Sequence, residues 1–267
     1  MSDDVPSYPL SLFDVRGKAA LVVGATGSFG GLAAKVLAGA GAKVALSGGN
    51  RQALDAVAAV CRELGADAFP INRRGASEAD CDAIVAETVG RFGRLDILVV
   101  ASGKNEVHKI VDMKPETFAG IMDVNVTQSW LMARAAGRQM LEQGDGGKVI
   151  LMSSARGLLG HPAGYTAYCA SKSAIDGITR ALGCEWGGAG ITVNAIAPTV
   201  FRSPLTAWMF ADTEQARDVR KGFLARVPKG RLGEPEDLAG PLLFLASKAS
   251  DFYTGHILYA DGGYTAG

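Results

Sequence analysis

The chain has 267 residues, enough to bury a large core within one α/β unit. Its 27 basic residues are matched by 27 acidic ones, so no net charge draws it to nucleic acid or to an anionic membrane surface, and a small-molecule partner is expected. Cys61, Cys81, Cys169 and Cys184 lack metal-ligand spacing, no secretory signal or membrane-spanning apolar run is visible, and the expectation is a cytoplasmic protein without a metal site.

Residues 1–14 carry Pro6 and Pro9 without periodicity and read as an N-terminal tail, with a single domain over 15–267. Apolar runs at 18–25, 43–48, 67–72, 95–102, 148–154, 191–198 and 256–261 predict seven strands. Helical spacing falls between them, at 30–40, 51–64, 78–92, 115–143, 165–187 and 235–248. Strands that are apolar on both faces and alternate with helices predict a Rossmann-like, doubly wound sheet of seven parallel strands, with helices on both faces. Residues 199–232 break the alternation with Trp208, Met209 and Phe210 followed by a charged stretch, and read as a substrate cap or as a surface helix pair.

The first strand runs into Gly24-Ala25-Thr26-Gly27-Ser28-Phe29-Gly30 and then into a helix. That context suits a dinucleotide: Gly24 permits a tight turn, Gly30 lets the helix close on the sheet, and free amides at the helix start face a pyrophosphate.

Tyr168 and Lys172 stand four residues apart in a helical segment and share one face. Ser154 ends the fifth strand, the edge at which such sheets bind ligands. A tyrosine is a weak base near neutral pH, and a cation ~4 Å from its phenolate contributes about 4 kcal/mol at an effective dielectric of ~20. Lys172 is therefore expected to lower Tyr168 toward the working pH, with Ser154 holding the substrate oxygen against it and Asn125 as a fourth candidate.

The order glycine turn, Asn125, Ser154, Tyr168-x-x-x-Lys172 resembles the short-chain dehydrogenase/reductase family over residues 14–265. Arg231-Leu-Gly-Glu-Pro-Glu, Ile191-Thr-Val-Asn-Ala-Ile-Ala-Pro198 and the stretch from Tyr253 to Gly263 resemble it too. The resemblance implies an NAD(P)-dependent oxidoreductase moving a hydride between nicotinamide and a carbonyl or secondary alcohol. It also implies that Asn125 holds a proton-relay water, that Lys172 binds the nicotinamide ribose, and that Ser203 and the backbone near Phe201 meet the carboxamide. Ser102, Gly103 and Pro198 join the cofactor set, and the family likeness suggests a homotetramer packed through helices 115–143 and 165–187. Departures are Ser28 for the middle glycine of the turn, Val100-Ala101 for an asparagine pair, and Thr199 for a glycine.

The second strand ends Ser47-Gly48-Gly49-Asn50-Arg51, without the carboxylate that selects NAD. Arg51, Arg73 or Arg74 would reach a ribose phosphate, which favours NADP(H) over NAD(H); Asn50 and Asn72 would serve NAD instead. Arg156, His161, Tyr165 and Trp208, with Lys104, Asn105 and Arg202 nearby, are the substrate candidates. They favour a sugar-derived, polyol or hydroxy-acid substrate, the alternatives being a 3-oxoacyl thioester reductase, a sugar-nucleotide epimerase, or a non-catalytic NAD(P)-binding sensor or scaffold.

Overall fold

The computed structural model describes residues 9–267, so residues 1–8 of the expected tail lie outside it. Within the rest of that tail, Pro9–Phe13 form a short 3-10 turn.

All seven apolar runs form strands: β1 (Ala19–Val23), β2 (Lys43–Ser47), β3 (Ala68–Ile71), β4 (Ile97–Val100), β5 (Gly147–Met152), β6 (Ile191–Pro198) and β7 (Ile257–Ala260). They pair in parallel in the order β3-β2-β1-β4-β5-β6-β7. Every residue of β1, β4 and β6 is buried, because helices cover both faces and leave no side free for polar alternation. The helices are α1 (Ser28–Gly39), α2 (Arg51–Glu63), α3 (Glu78–Phe92), α4 (Pro115–Met122), α5 (Gln128–Gln143), α6 (Thr166–Trp186), α7 (Glu214–Leu224) and α8 (Glu236–Ala246).

The helices divide into two cores. Leu37 of α1, Leu54 of α2 and Leu242 of α8 pack with Val22 and Val44, while Ile84 of α3, Met132 of α5 and Ile175 of α6 pack with Leu21 and Leu98. Strand order reverses at β1, where Val23 lies beside both Ser47 of β2 and Val100 of β4. The turns after these strands diverge to opposite faces and leave a crevice at the carboxyl edge.

The predicted helix over 115–143 is interrupted. Asp123–Thr127 form a π-helical segment between α4 and α5, with Asn125 buried inside it. A π turn differs from an α turn by one residue of hydrogen-bond register, which the apolar period does not show. Within the expected cap, Phe223 and Leu224 of α7 pack against a small third core in which Val227, Ala155 and Tyr264 meet, and a 3-10 turn at Ala207–Phe210 packs on α7.

Candidate active site

β1 ends at the glycine turn, where the Gly24 and Ala25 amides donate to the Ser47 carbonyl at 3.0 and 3.1 Å. Gly24 has φ +76°, and a Cβ there would lie 2.6 Å from the Ser102 amide nitrogen; a Cβ on Gly30 would collide with the Gly24 carbonyl. Side chains are thus excluded from the turn on geometric grounds. Gly27 caps α1 without a capping side chain, so first-turn amides are left to bind an anion. Thr26, Gly27 and Ser28 are exposed there, and Phe29 packs edge-on against Phe201 at 6.0 Å. Such a cradle fits the pyrophosphate of a dinucleotide.

The three arginines at the adenosine end have different surroundings. Arg51 pairs with Asp55 at 2.9 Å, and Arg73 with Asp80 at 3.0 Å and Glu87 at 3.8 Å. The Arg74 side chain has no ion pair or hydrogen bond among the described residues, and its guanidinium covers Gly49, where any Cβ would collide with it. Asn50 caps α2 by accepting from the Ala53 amide at 3.1 Å, while Asn72 stands exposed after β3. The free cation lies directly beside the end of β2, which carries no carboxylate.

The four catalytic candidates converge from different segments. Ser154 follows β5, and its hydroxyl accepts from the Arg156 amide at 3.1 Å and donates to the Pro198 carbonyl at 3.5 Å. Tyr168 and Lys172 rise from α6, with the Lys172 ammonium 5.6 Å from the centre of the tyrosine ring and donating to the Met152 carbonyl at 2.7 Å. A Cβ on Gly103 would lie 3.6 Å from Asn125 Oδ1 and 3.9 Å from Lys172 Nζ, in ordinary contact with both, so this position adjoins both groups. The Asn125 side chain accepts from the Lys104 amide at 2.7 Å and donates to the Lys104 carbonyl and to Ser171 Oγ, both at 2.9 Å. Its amide therefore braces the segment after β4.

The electrostatics differ from the sequence expectation. Burial pushes the Tyr168 phenol up, opposed chiefly by a hydrogen bond with Ser154. Burial also pulls Lys172 down to about 8, with the charge of Asp176 opposing it. The expected lowering of Tyr168 by Lys172 is not found in the chain alone, where burial disfavours both charged forms and only Ser154 and Arg156 oppose it at the phenol.

Asp176 was not foreseen. It is buried one helical turn beyond Lys172 and accepts a hydrogen bond from Ser153, the neighbour of Ser154. A polar residue at i+4 from the lysine was the available signal.

Three of the substrate candidates, Arg156, His161 and Tyr165, lie beside Ser154 and Tyr168. The His161 and Tyr165 rings lie 4.5 Å apart, and Tyr165 meets the Tyr168 ring edge-on at 6.3 Å. Arg156 donates to the Gly160 carbonyl at 2.7 Å and to the Tyr264 hydroxyl at 2.9 Å. Ser203 is turned to Thr206, at 2.9 Å between hydroxyls, and the Phe201 carbonyl accepts from that same threonine. Trp208 is 51% exposed, unlike its buried neighbour Met209. A cavity of about 580 Å³ bounded by Thr199, Phe201, Gly233 and Tyr259 adjoins the post-β6 segment, but none of the four catalytic candidates lines it.

Residues 24–265 match a family model described as enoyl-(acyl carrier protein) reductase. The chain belongs to the short-chain dehydrogenase/reductase family. An uncharacterized oxidoreductase of Mycobacterium tuberculosis is 50% identical over 267 residues, covering 100% of this chain and 98% of that protein. The 2-dehydro-3-deoxy-D-gluconate 5-dehydrogenase of Dickeya dadantii is 35% identical over 266 residues, covering 96% and 99%. Among solved structures, a gluconate 5-dehydrogenase of Burkholderia cenocepacia in complex with NADP and tartrate has a TM-score of 0.90 at 31% identity, covering 97% of this chain and 100% of that one. This short-chain dehydrogenase/reductase is accordingly an oxidoreductase that uses a nicotinamide cofactor on small molecules. Among its described residues, no helix is long and apolar enough to cross a membrane.

Proposed function

We propose that the protein is an NADP-dependent dehydrogenase or reductase of a sugar-derived, polyol or hydroxy-acid substrate, with Tyr168 as the proton donor and acceptor. The observation that carries the chemistry is the Lys172 ammonium 5.6 Å from the centre of the Tyr168 ring, beside the Met152 carbonyl that leads into Ser154 and at the same sheet edge as the glycine cradle. A bound nicotinamide supplies the hydride acceptor or donor. Ser154 holds the substrate oxygen, and Tyr168 removes its proton in oxidation or returns it in reduction. The Lys172 cation stabilises the phenolate between these steps, and Asn125 keeps the Lys104 segment in place beside it.

Preference for NADP rests on Arg74, a guanidinium without a carboxylate partner beside Gly49. The structural relative bound to NADP is consistent with this reading. Half-exposed Trp130 and Leu141 on α5 support packing against further copies in a homotetramer, and four free cysteines suit a reducing cytoplasm. Titration of NADP and NAD, then turnover of paired alcohols and ketones with the preferred one, tests the assignment. Tyr168→Phe is expected to lose roughly 10²- to 10⁴-fold in kcat; an unchanged rate refutes the role of Tyr168.

A further inference from the structure

The substrate side carries positive charge that the hydride-transfer chemistry does not use. Arg226, just beyond α7, lies with its guanidinium 4.5 Å from the centre of the Tyr264 ring. Arg156 lies 5.4 Å from the same ring and donates to its hydroxyl. Neither arginine has a carboxylate partner among the described residues, and Arg226 makes no hydrogen bond from its side chain there. The protein otherwise pairs many of its guanidiniums, including exposed Arg202 with Glu234 and Arg231 with Asp237.

The location of the pair is fixed from two directions. Tyr264 is buried with Ala155 and Val227, so the tyrosine ring is held between the loop after Ser154 and the end of the cap. Asp261 secures this C-terminal turn by accepting from the Gly263 and Thr265 amides, both at 2.9 Å. Arg156 is two residues from Ser154, and its charge is felt at the Tyr168 phenol. Both guanidiniums also act on His161, whose pKa is lowered first by burial and then by Arg156 and Arg226. The ring remains a neutral donor: its Nδ1 accepts from the Ala163 amide at 3.1 Å, which leaves the proton on Nε2.

We propose that Arg226 and Arg156 form a carboxylate-binding subsite, selecting acids whose hydroxyl or carbonyl sits at Ser154 and Tyr168 over neutral sugars and polyols. The subsite deepens the hydroxy-acid part of the functional reading and rests on it. Arg226 is the more informative position, because its five N–H donors are uncommitted and its ring contact holds the guanidinium without consuming them. The arginine follows directly on α7, and Val227 beside it packs against Tyr264, so the position of the guanidinium is set by that packing.

The test is isothermal titration of the NADP-loaded protein with tartrate and a series of aldonates, each paired with its neutral polyol, and repeated on Arg226→Gln and Arg226→Lys. The acids are expected to bind more tightly than their polyols. Arg226→Gln should weaken the acids roughly ten- to a hundredfold and leave the polyols unchanged, with partial recovery in Arg226→Lys. Equal binding of acids and polyols, or an Arg226→Gln variant that keeps full affinity for the acids, overturns the subsite. Turnover separates the two claims. Acids that bind through Arg226 but are never oxidised or reduced support the subsite and sink the substrate class, whereas turnover of neutral polyols together with acid binding indifferent to Arg226→Gln sinks the subsite and leaves hydride transfer standing.

Discussion

Ser153 donates a hydrogen bond to Asp176, tying the residue before Ser154 to the helix that carries Tyr168 and Lys172. A Cβ on Gly157 would lie 2.5 Å from Asp176 Oδ2, so the loop is closed down onto the same carboxylate. One buried group thus connects the placement of Ser154 with the charge of Lys172.

Asp176→Asn should retain an acceptor for Ser153 while removing the negative charge. Asp176 holds Lys172 up against burial, so its loss drives the lysine below about 8 and neutralises more of it near neutrality. The other groups sensing this charge are Arg180 on the same helix and Tyr259 on β7. The expected result is an alkaline limb of the kcat profile moved to lower pH, with little change in KM. Superimposable pH profiles for variant and wild type would reduce Asp176 to a packing residue.

Lys172 also links stability to pH. Its folded pKa is lowered from 10.5 to about 8, so between these values the unfolded chain binds the proton that the native chain releases. Stability from this site therefore rises with pH across that window, is complete above the upper value, and is lost as pH falls through the lower one. The span amounts to about 3 kcal/mol. Urea unfolding of wild type and Lys172→Met at pH values on both sides of the window should show the rise only in the wild type; parallel curves would contradict it.

Arg74→Ala should separate the two dinucleotides. Loss of a charge-assisted contact to a ribose phosphate is expected to weaken NADP roughly ten- to a hundredfold, while NAD is unaffected. Fluorescence titration of the reduced cofactors measures both. Equal losses for the two would place Arg74 elsewhere in the binding reaction.

Gly30→Ala probes the cradle. The added Cβ would meet the Gly24 carbonyl, and backbone on both sides leaves no flexible atom to yield. Overpacking of this kind costs roughly 1–3 kcal/mol, a melting-temperature loss of several degrees. Binding of both dinucleotides should fall with it; a variant that melts lower and still binds normally would detach the turn from the cofactor.

The sheet was legible in the sequence because strands covered on both faces must be apolar throughout, so β1, β4 and β6 appear as unbroken runs. Tyr168 and Lys172 were legible for a local reason: a spacing of four places them on one helical face before any tertiary contact exists. The glycine turn likewise follows from short-range backbone geometry, with Gly24 in the left-handed region.

Tertiary structure decided which charges remain free. Arg51, Arg73 and Arg74 are equivalent as letters, yet carboxylates on α2 and α3 occupy the first two and leave the third above Gly49. Arg226 meets Tyr264, and Asp176 meets Ser153, only after distant segments have packed. Local propensity fixes the course of the backbone over a few residues, whereas the partner of a long charged side chain depends on what the completed fold brings within a few ångströms of it.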